Sequence, residues 1–200
     1  MSLISANKLA PATGTQVEIG DSGDTISIPA GVTITNSGTA NNFGGGKVAQ
    51  CLTVQITDKV TTTSTTYVDV TGLTLNITPA AATSKVLCFV DINASNAANL
   101  PVIGRVLRDS TEIGSGVAVS SRPGAGFLSA DSYANQSERH TLVILDSPST
   151  SGSAVTYKVQ FRVQTGGSGQ TATINTTHSD TDADYVARLA SRIILMEITA

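Results

Sequence analysis

Tryptophan is absent from the 200 residues, aromatic side chains make up 4%, and charged side chains only 14%. Twelve Lys+Arg against 15 Asp+Glu leave a formal net charge of −3, without the basic excess that a nucleic-acid binder carries. No apolar stretch approaches the ~18 residues of a membrane-spanning helix. The opening Met1-Ser2-Leu3-Ile4-Ser5-Ala6-Asn7-Lys8 has neither a charged n-region nor an apolar h-region, so no classical secretory signal is expected. Helical periodicity is nearly absent. The best local candidate, Asp184 to Ser191, is too short to stand alone.

Catalytic and metal motifs are equally scarce. Gly46-Lys47 fails as a phosphate loop, because position 41 is Asn41 rather than Gly and Val48 stands where Ser or Thr would hold Mg²⁺. No serine lies in a G-x-S-x-G elbow, and His140 and His178, the only histidines, lie in no H-E-x-x-H pattern. His140 reads as a strand-edge residue. Cys51 and Cys88 both sit in strand-like runs and form no C-x-x-C pair. A disulfide between them is open, but buried free thiols are the expectation for a chain made in a reducing cytosol. No cofactor is called for.

What is abundant is hydroxyl and β-branched side chains: 22 Ser and 28 Thr form a quarter of the chain. This is the composition of an all-β protein whose outward strand positions carry Thr and Ser. Residues 1–47 have a texture of their own. Short apolar pairs, Val17 and Ile19, Ile26 and Ile28, Val32 and Ile34, are separated by Gly20, Gly23, Pro29-Ala30-Gly31 and Gly38. Each pair is a minimal strand signal too thin to bury a core alone, so a trimeric or partner-bound stem, with identical chains wrapping around one axis, is expected over an arm that simply lies along a partner. Phe43-Gly44-Gly45-Gly46 reads as a hinge.

From Val48 to the end, apolar alternation recurs between turn signals. Val155, Tyr157, Val159, Phe161 and Val163 alternate strictly with polar residues, the mark of a half-buried strand. Val86 to Ile92 is apolar on both faces and predicts a central strand. Asp109-Ser110-Thr111 predicts a hairpin turn. Eight or more such strands imply a jelly-roll-like β-sandwich head over residues 48–200.

Gly- and Ser-rich loops are expected over Arg122 to Ser137 and Gly166 to Gln170. Loops gather at the ends of a sandwich and carry recognition, which makes Tyr133, Asn135, Gln136 and Arg139 candidates for contact with sugars or protein surfaces. Asp180, Asp182 and Asp184 place three carboxylates two residues apart, an oxygen cluster of the kind calcium takes. The Gly and Glu of an EF-hand loop are missing, so a solvated acidic loop neutralised by Arg188 or Arg192 is the expectation there.

The run Gly23-Asp24-Thr25-Ile26-Ser27-Ile28-Pro29-Ala30-Gly31-Val32-Thr33-Ile34-Thr35-Asn36-Ser37-Gly38-Thr39-Ala40, followed by Phe43-Gly44, resembles the stem of structural proteins from tailed phages, marine and cyanobacterial ones especially. Val70-Thr71-Gly72-Leu73-Thr74-Leu75-Asn76-Ile77-Thr78-Pro79, Leu145-Asp146-Ser147-Pro148 and Met196-Glu197-Ile198 are similar to the C-terminal head of the same group. The resemblance implies a non-enzymatic virion appendage, made in the bacterial cytoplasm. It implies a trimer, docked to other virion proteins through residues 1–47 and displaying a sandwich for adhesion to host-surface glycan. The short chain has no long shaft, which favours a tail-tip piece or a capsid decoration over a far-reaching fibre. The rivals are a glycan-binding module and a glycan-degrading spike, which would need paired carboxylates about 5 to 10 Å apart.

Overall fold

The computed structural model describes residues 13, 15, 19, 21–33, 35, 47–96, 100–130, 133, 135–164, 166 and 170–199. It divides into two units, Met1–Phe43 and Gly44–Ala200. In the first unit the described residues form no strand. Two tight turns appear where the sequence places them: Asp24 N–H donates to Asp21 O (3.0 Å) and Val32 N–H to Pro29 O (3.3 Å). Gly23 and Gly31 take the left-handed positions, at φ 100° and 87°. Of the expected stem residues, Ile19, Ile26, Ile28 and Val32 are exposed, between 45% and 63%. Val17, Ile34 and the Gly44–Gly46 hinge lie outside the described residues. Among the described residues the two-residue alternations have no ladder partner within the chain.

The second unit is all-β. Its strands are β1 (Lys47–Ile56), β2 (Val60–Thr62), β3 (Val68–Ile77), β4 (Lys85–Asn96), β5 (Val102–Arg108), β6 (Thr111–Ile113), β7 (Phe127–Ser129), β8 (Glu138–Asp146), β9 (Val155–Val163), β10 (Ala172–Ile174) and β11 (Ser191–Thr199). They form two antiparallel sheets. In the first, β4 is central as expected: β8 runs along one edge, β11 and β10 follow each other along the other, and β1 and β2 lie outside these. In the second the order is β3-β9-β5, with β6 and β7 sharing the far edge of β5. Asp109 and Ser110 make the two-residue β5–β6 turn, with Asp109 at φ 52°.

Alternation places one face of each sheet in a common core. Val86, Cys88, Val90 and Ile92 of β4 meet Tyr157, Val159 and Phe161 of β9, with Ile193 and Leu195 of β11 beside them. Burial of one such aliphatic or aromatic side chain is worth about 1.5–3 kcal/mol. The Tyr157 hydroxyl donates to Asp146 (2.7 Å), which also pairs with Arg108 (2.7 Å), so the one polar tip in the aromatic centre is satisfied.

Two expectations need correction. Cys88 is buried, its thiol pushed up to about 12 chiefly by desolvation, but Cys51 is exposed, because it takes an outward position on β1. Both are free. The segment read as a loop over Arg122 to Ser137 contains strand β7, held when Gly126 N–H donates to Gly104 O (2.9 Å) and Gly104 pairs with Phe127. Three residues are too short to show a period. The Phe127 ring crosses the Gly104 backbone so closely that a Cβ at Gly104 would overlap it, and it stacks on His140 at 5.4 Å. Gly104→Ala is therefore expected to destabilise the head by about 2 kcal/mol through overpacking, and Phe127→Leu in the same chain to restore part of that loss. A urea melt of both variants checks it.

Candidate recognition surface

The strands run between two poles. At the proximal pole β1 begins and β11 ends, with Lys47 opposite Thr199. At the distal pole β1 ends and β11 begins, with Ile56 opposite Ser191. The β1–β2, β7–β8 and β10–β11 connections meet at the distal pole, and residues of two of the sequence-derived candidate groups lie on it.

Asn175, fully buried and at φ 68°, fixes this pole. Its Nδ2 donates to Ile56 O (3.1 Å) and Asp58 O (3.0 Å), and its Oδ1 accepts from Ser191 Oγ (2.6 Å). Its backbone N–H donates to Asn93 O (3.0 Å), and its carbonyl accepts from Leu189 N–H (2.9 Å). Ser95 Oγ adds a bond to Thr176 O (2.8 Å). Asn tolerates the left-handed conformation and supplies both donor and acceptor, so one residue ties four elements together.

The acidic stretch begins immediately beyond. Asp180 is held by Lys59 Nζ (3.0 Å) and Arg188 Nη2 (3.0 Å) and accepts from Thr176 Oγ1 (3.0 Å). The Lys59 ammonium, then the Thr176 hydroxyl, hold its carboxyl below the usual carboxylate range. Asp182 and Asp184 are exposed, and among the described residues no three His, Cys, Asp or Glu side chains are grouped as metal ligands. The three candidate cation ligands are therefore not drawn together. Asp180 faces a distant lysine and the expected Arg188, while Arg192 pairs instead with Asp91 (3.5 Å).

Of the candidate contact residues, Asn135 joins this surface: its Oδ1 accepts from Ser179 Oγ, linking the β7–β8 and β10–β11 loops. Tyr133, 68% exposed, lies on the same loop, where its carbonyl accepts from Gln136 N–H (3.2 Å). Arg139 turns away onto the outer face of β8 and makes a two-pronged ion pair with Asp91, Nε to Oδ1 at 2.6 Å and Nη2 to Oδ2. Sequence reasoning passed over Tyr185, 66% exposed on the β10–β11 loop. The signal was an aromatic within a stretch otherwise read only for its charge.

An open depression of about 300 Å³ lies along the β10–β11 loop, lined by Asp180, Thr181, Asp182, Ala183, Val186 and Arg188. A second, of about 590 Å³, is lined by residues of the β1–β2 connection, including Asp58 and Lys59, together with Thr71 and Gly72. The Lys59–Asp180 ion pair stands where the two meet. Exposed phenol rings, free carboxylates and paired cations make a surface that can stack on and hydrogen-bond a hydroxyl-rich ligand.

The geometry defines an all-β head with a loop-built, polar and aromatic distal surface. No model of a known protein family matches the chain, and no curated protein matches it.

Proposed function

We propose that the chain is a non-enzymatic structural protein of a phage virion: a trimeric surface appendage, tail-tip piece or capsid decoration, that docks through residues 1–47 and presents its head for adhesion to host-surface glycan. The carrying observation is the polarity of the head. The chain enters at the proximal pole, and the surface with Tyr133, Asn135, Asp182 and Tyr185 lies at the other end of the strands. The likeness of residues 23–40 to phage stem segments supports the virion setting. The strand order β1-β11-β4-β8 against β3-β9-β5-β6 supports the jelly-roll reading of the head, with successive long strands alternating between sheets.

Adhesion, rather than cleavage, is favoured by the state of the carboxylates. A glycosidase pairs a carboxylic acid of raised pKa with a second carboxylate, whereas at the distal surface Asp180 moves down, held in ion pairs with Lys59 and Arg188. Many weak contacts multiplied by valency then supply the avidity.

The test uses the full chain and a panel of bacterial surface polysaccharides immobilised on a sensor. Binding is expected to fall at least ~10-fold in the Tyr133→Ala/Tyr185→Ala double variant, the loss of about 1.4 kcal/mol, with the melting temperature unchanged because both rings are exposed. Equal binding by the variant and the parent, or shortening of the polysaccharide during the assay, overturns the reading.

A further inference from the structure

The two sheets differ on their outer faces. That of the β3-β9-β5 sheet is laced with polar pairs: Glu112 to Arg105 (3.0 Å), Arg105 to Gln160 (2.8 Å), Gln160 to Asp69 (2.6 Å) and Lys158 to Asp69 (3.0 Å). Tyr67 lies beside it, under the guanidinium groups of Arg105 and Arg162 at 4.0 and 5.0 Å. This is the ordinary solvated side of a sandwich.

The outer face of β1-β11-β4-β8 is apolar. Cross-strand register aligns Met196, Leu87 and Leu145 in one row and Ile194, Phe89 and Val143 in the next. Val143 and Leu145 are 59% and 62% exposed. Cys51 on β1 extends the first row, opposite Met196. The pattern of β4, apolar on both sides, belongs to a strand covered on both faces, yet Leu87 and Phe89 keep part of their surface open within the head. On one side the neighbouring row is Arg192–Asp91–Arg139, two cations sharing one carboxylate.

We infer that this face is the surface through which copies of the chain associate, each head covering the apolar rows of its neighbour. The inference deepens the trimeric reading above and rests on it. Size and charge point to a second copy. Four strands about 4.8 Å apart and about 30 Å long present roughly 570 Å² in projection. Side-chain relief brings the accessible area toward the ~800 Å² per partner of a standard interface. The two rows hold no Asp, Glu, Lys, Arg or His, so the apolar centre of one face meets that of its copy without like charges opposed, the charged side chains Arg192, Arg139 and Lys85 falling at the rim. The strands of this face run from the proximal to the distal pole. Heads packed side by side around an axis parallel to them have every proximal pole on one side and every distal pole on the other.

The test is the native molar mass of the full chain by light scattering, beside the Val143→Lys/Leu145→Lys variant, with thiol labelling of Cys51 as a second readout. Both substitutions sit on an edge strand at exposed positions, and thermal melting verifies that the variant folds. The expected result is about three times 20.4 kDa for the parent and 20.4 kDa for the variant. Cys51 is expected to label ~10-fold more slowly in the parent, since it is reached only in the dissociated minority. A variant that keeps the parent's multimeric mass, with Cys51 labelling freely in both, overturns this face and leaves the trimer standing on other contacts. A parent that is monomeric throughout overturns both.

Discussion

Replacing Asn175 by Ala is expected to lower the stability of the head by about 4 kcal/mol, more than any other polar substitution at the distal pole. Three side-chain hydrogen bonds disappear: the carbonyls of Ile56 and Asp58 lose this donor, and the Ser191 hydroxyl keeps only the Asn93 N–H. Each lost bond costs about 1 kcal/mol. The remaining backbone angle, φ 68°, adds about 1 kcal/mol for a residue with a Cβ and no local side-chain bond. For a head of this size the sum corresponds to a fall of roughly 12 °C in melting temperature. Asn175→Gly removes the strain but not the lost bonds, and is expected to fall between the parent and Ala. Scanning calorimetry of the three proteins gives the ranking. A loss under 1 kcal/mol for Ala would mean that the pole is held by something else.

The second large effect concerns Glu197, a carboxylate with no exposed surface on the core side of β11. Burial pushes its pKa up, but Gln50 Nε2 at 2.6 Å and the Ala80 N–H at 2.7 Å donate to its two oxygens, and the net shift is downward. A folded-state value below the unfolded one means that the group stabilises the head above the unfolded value, about 4.3. That stabilisation is lost as pH falls through the folded value. Asp69, Asp91 and Asp180 shift in the same direction and steepen the same acid limb. The urea midpoint is therefore expected to be level near neutrality and to drop below about pH 4.5. Glu197→Gln places an NH₂ group against the Ala80 N–H or the Gln50 amide, donor against donor. It is expected to cost about 2 kcal/mol at pH 7 and to flatten the acid limb. An unchanged pH profile in Glu197→Gln would remove Glu197 from the account of acid sensitivity.

Much of the fold was legible because its signals are local and periodic. The alternation of Val155 to Val163 is strand β9, the two-faced Val86 to Ile92 run is central β4, and the Asp109-Ser110 turn sits where turn chemistry put it. Glu197 was legible in principle, since it continues the inward alternation of Ile193 and Leu195, and a charge at a core position calls for partners. Those partners, Gln50 and Ala80, lie more than a hundred residues away and carry no periodic mark. The same holds for Lys59 and Asp180, which are 121 residues apart. Asn175 reads in the sequence as one of many polar turn residues, and only the assembled pole makes it an anchor. Strand β7 is defined by the Gly104 and Phe127 pairing, which no three-residue window displays.

Electron microscopy of phage particles released from cells that carry this chain, with gold-labelled antibody raised against the full protein, tests the proposed role most directly. The account predicts gold at fixed sites on the particles, on tail or capsid, with the antibody blocking adsorption to the host. Particles that carry no gold, with all of the protein recovered in the soluble lysate, would contradict it.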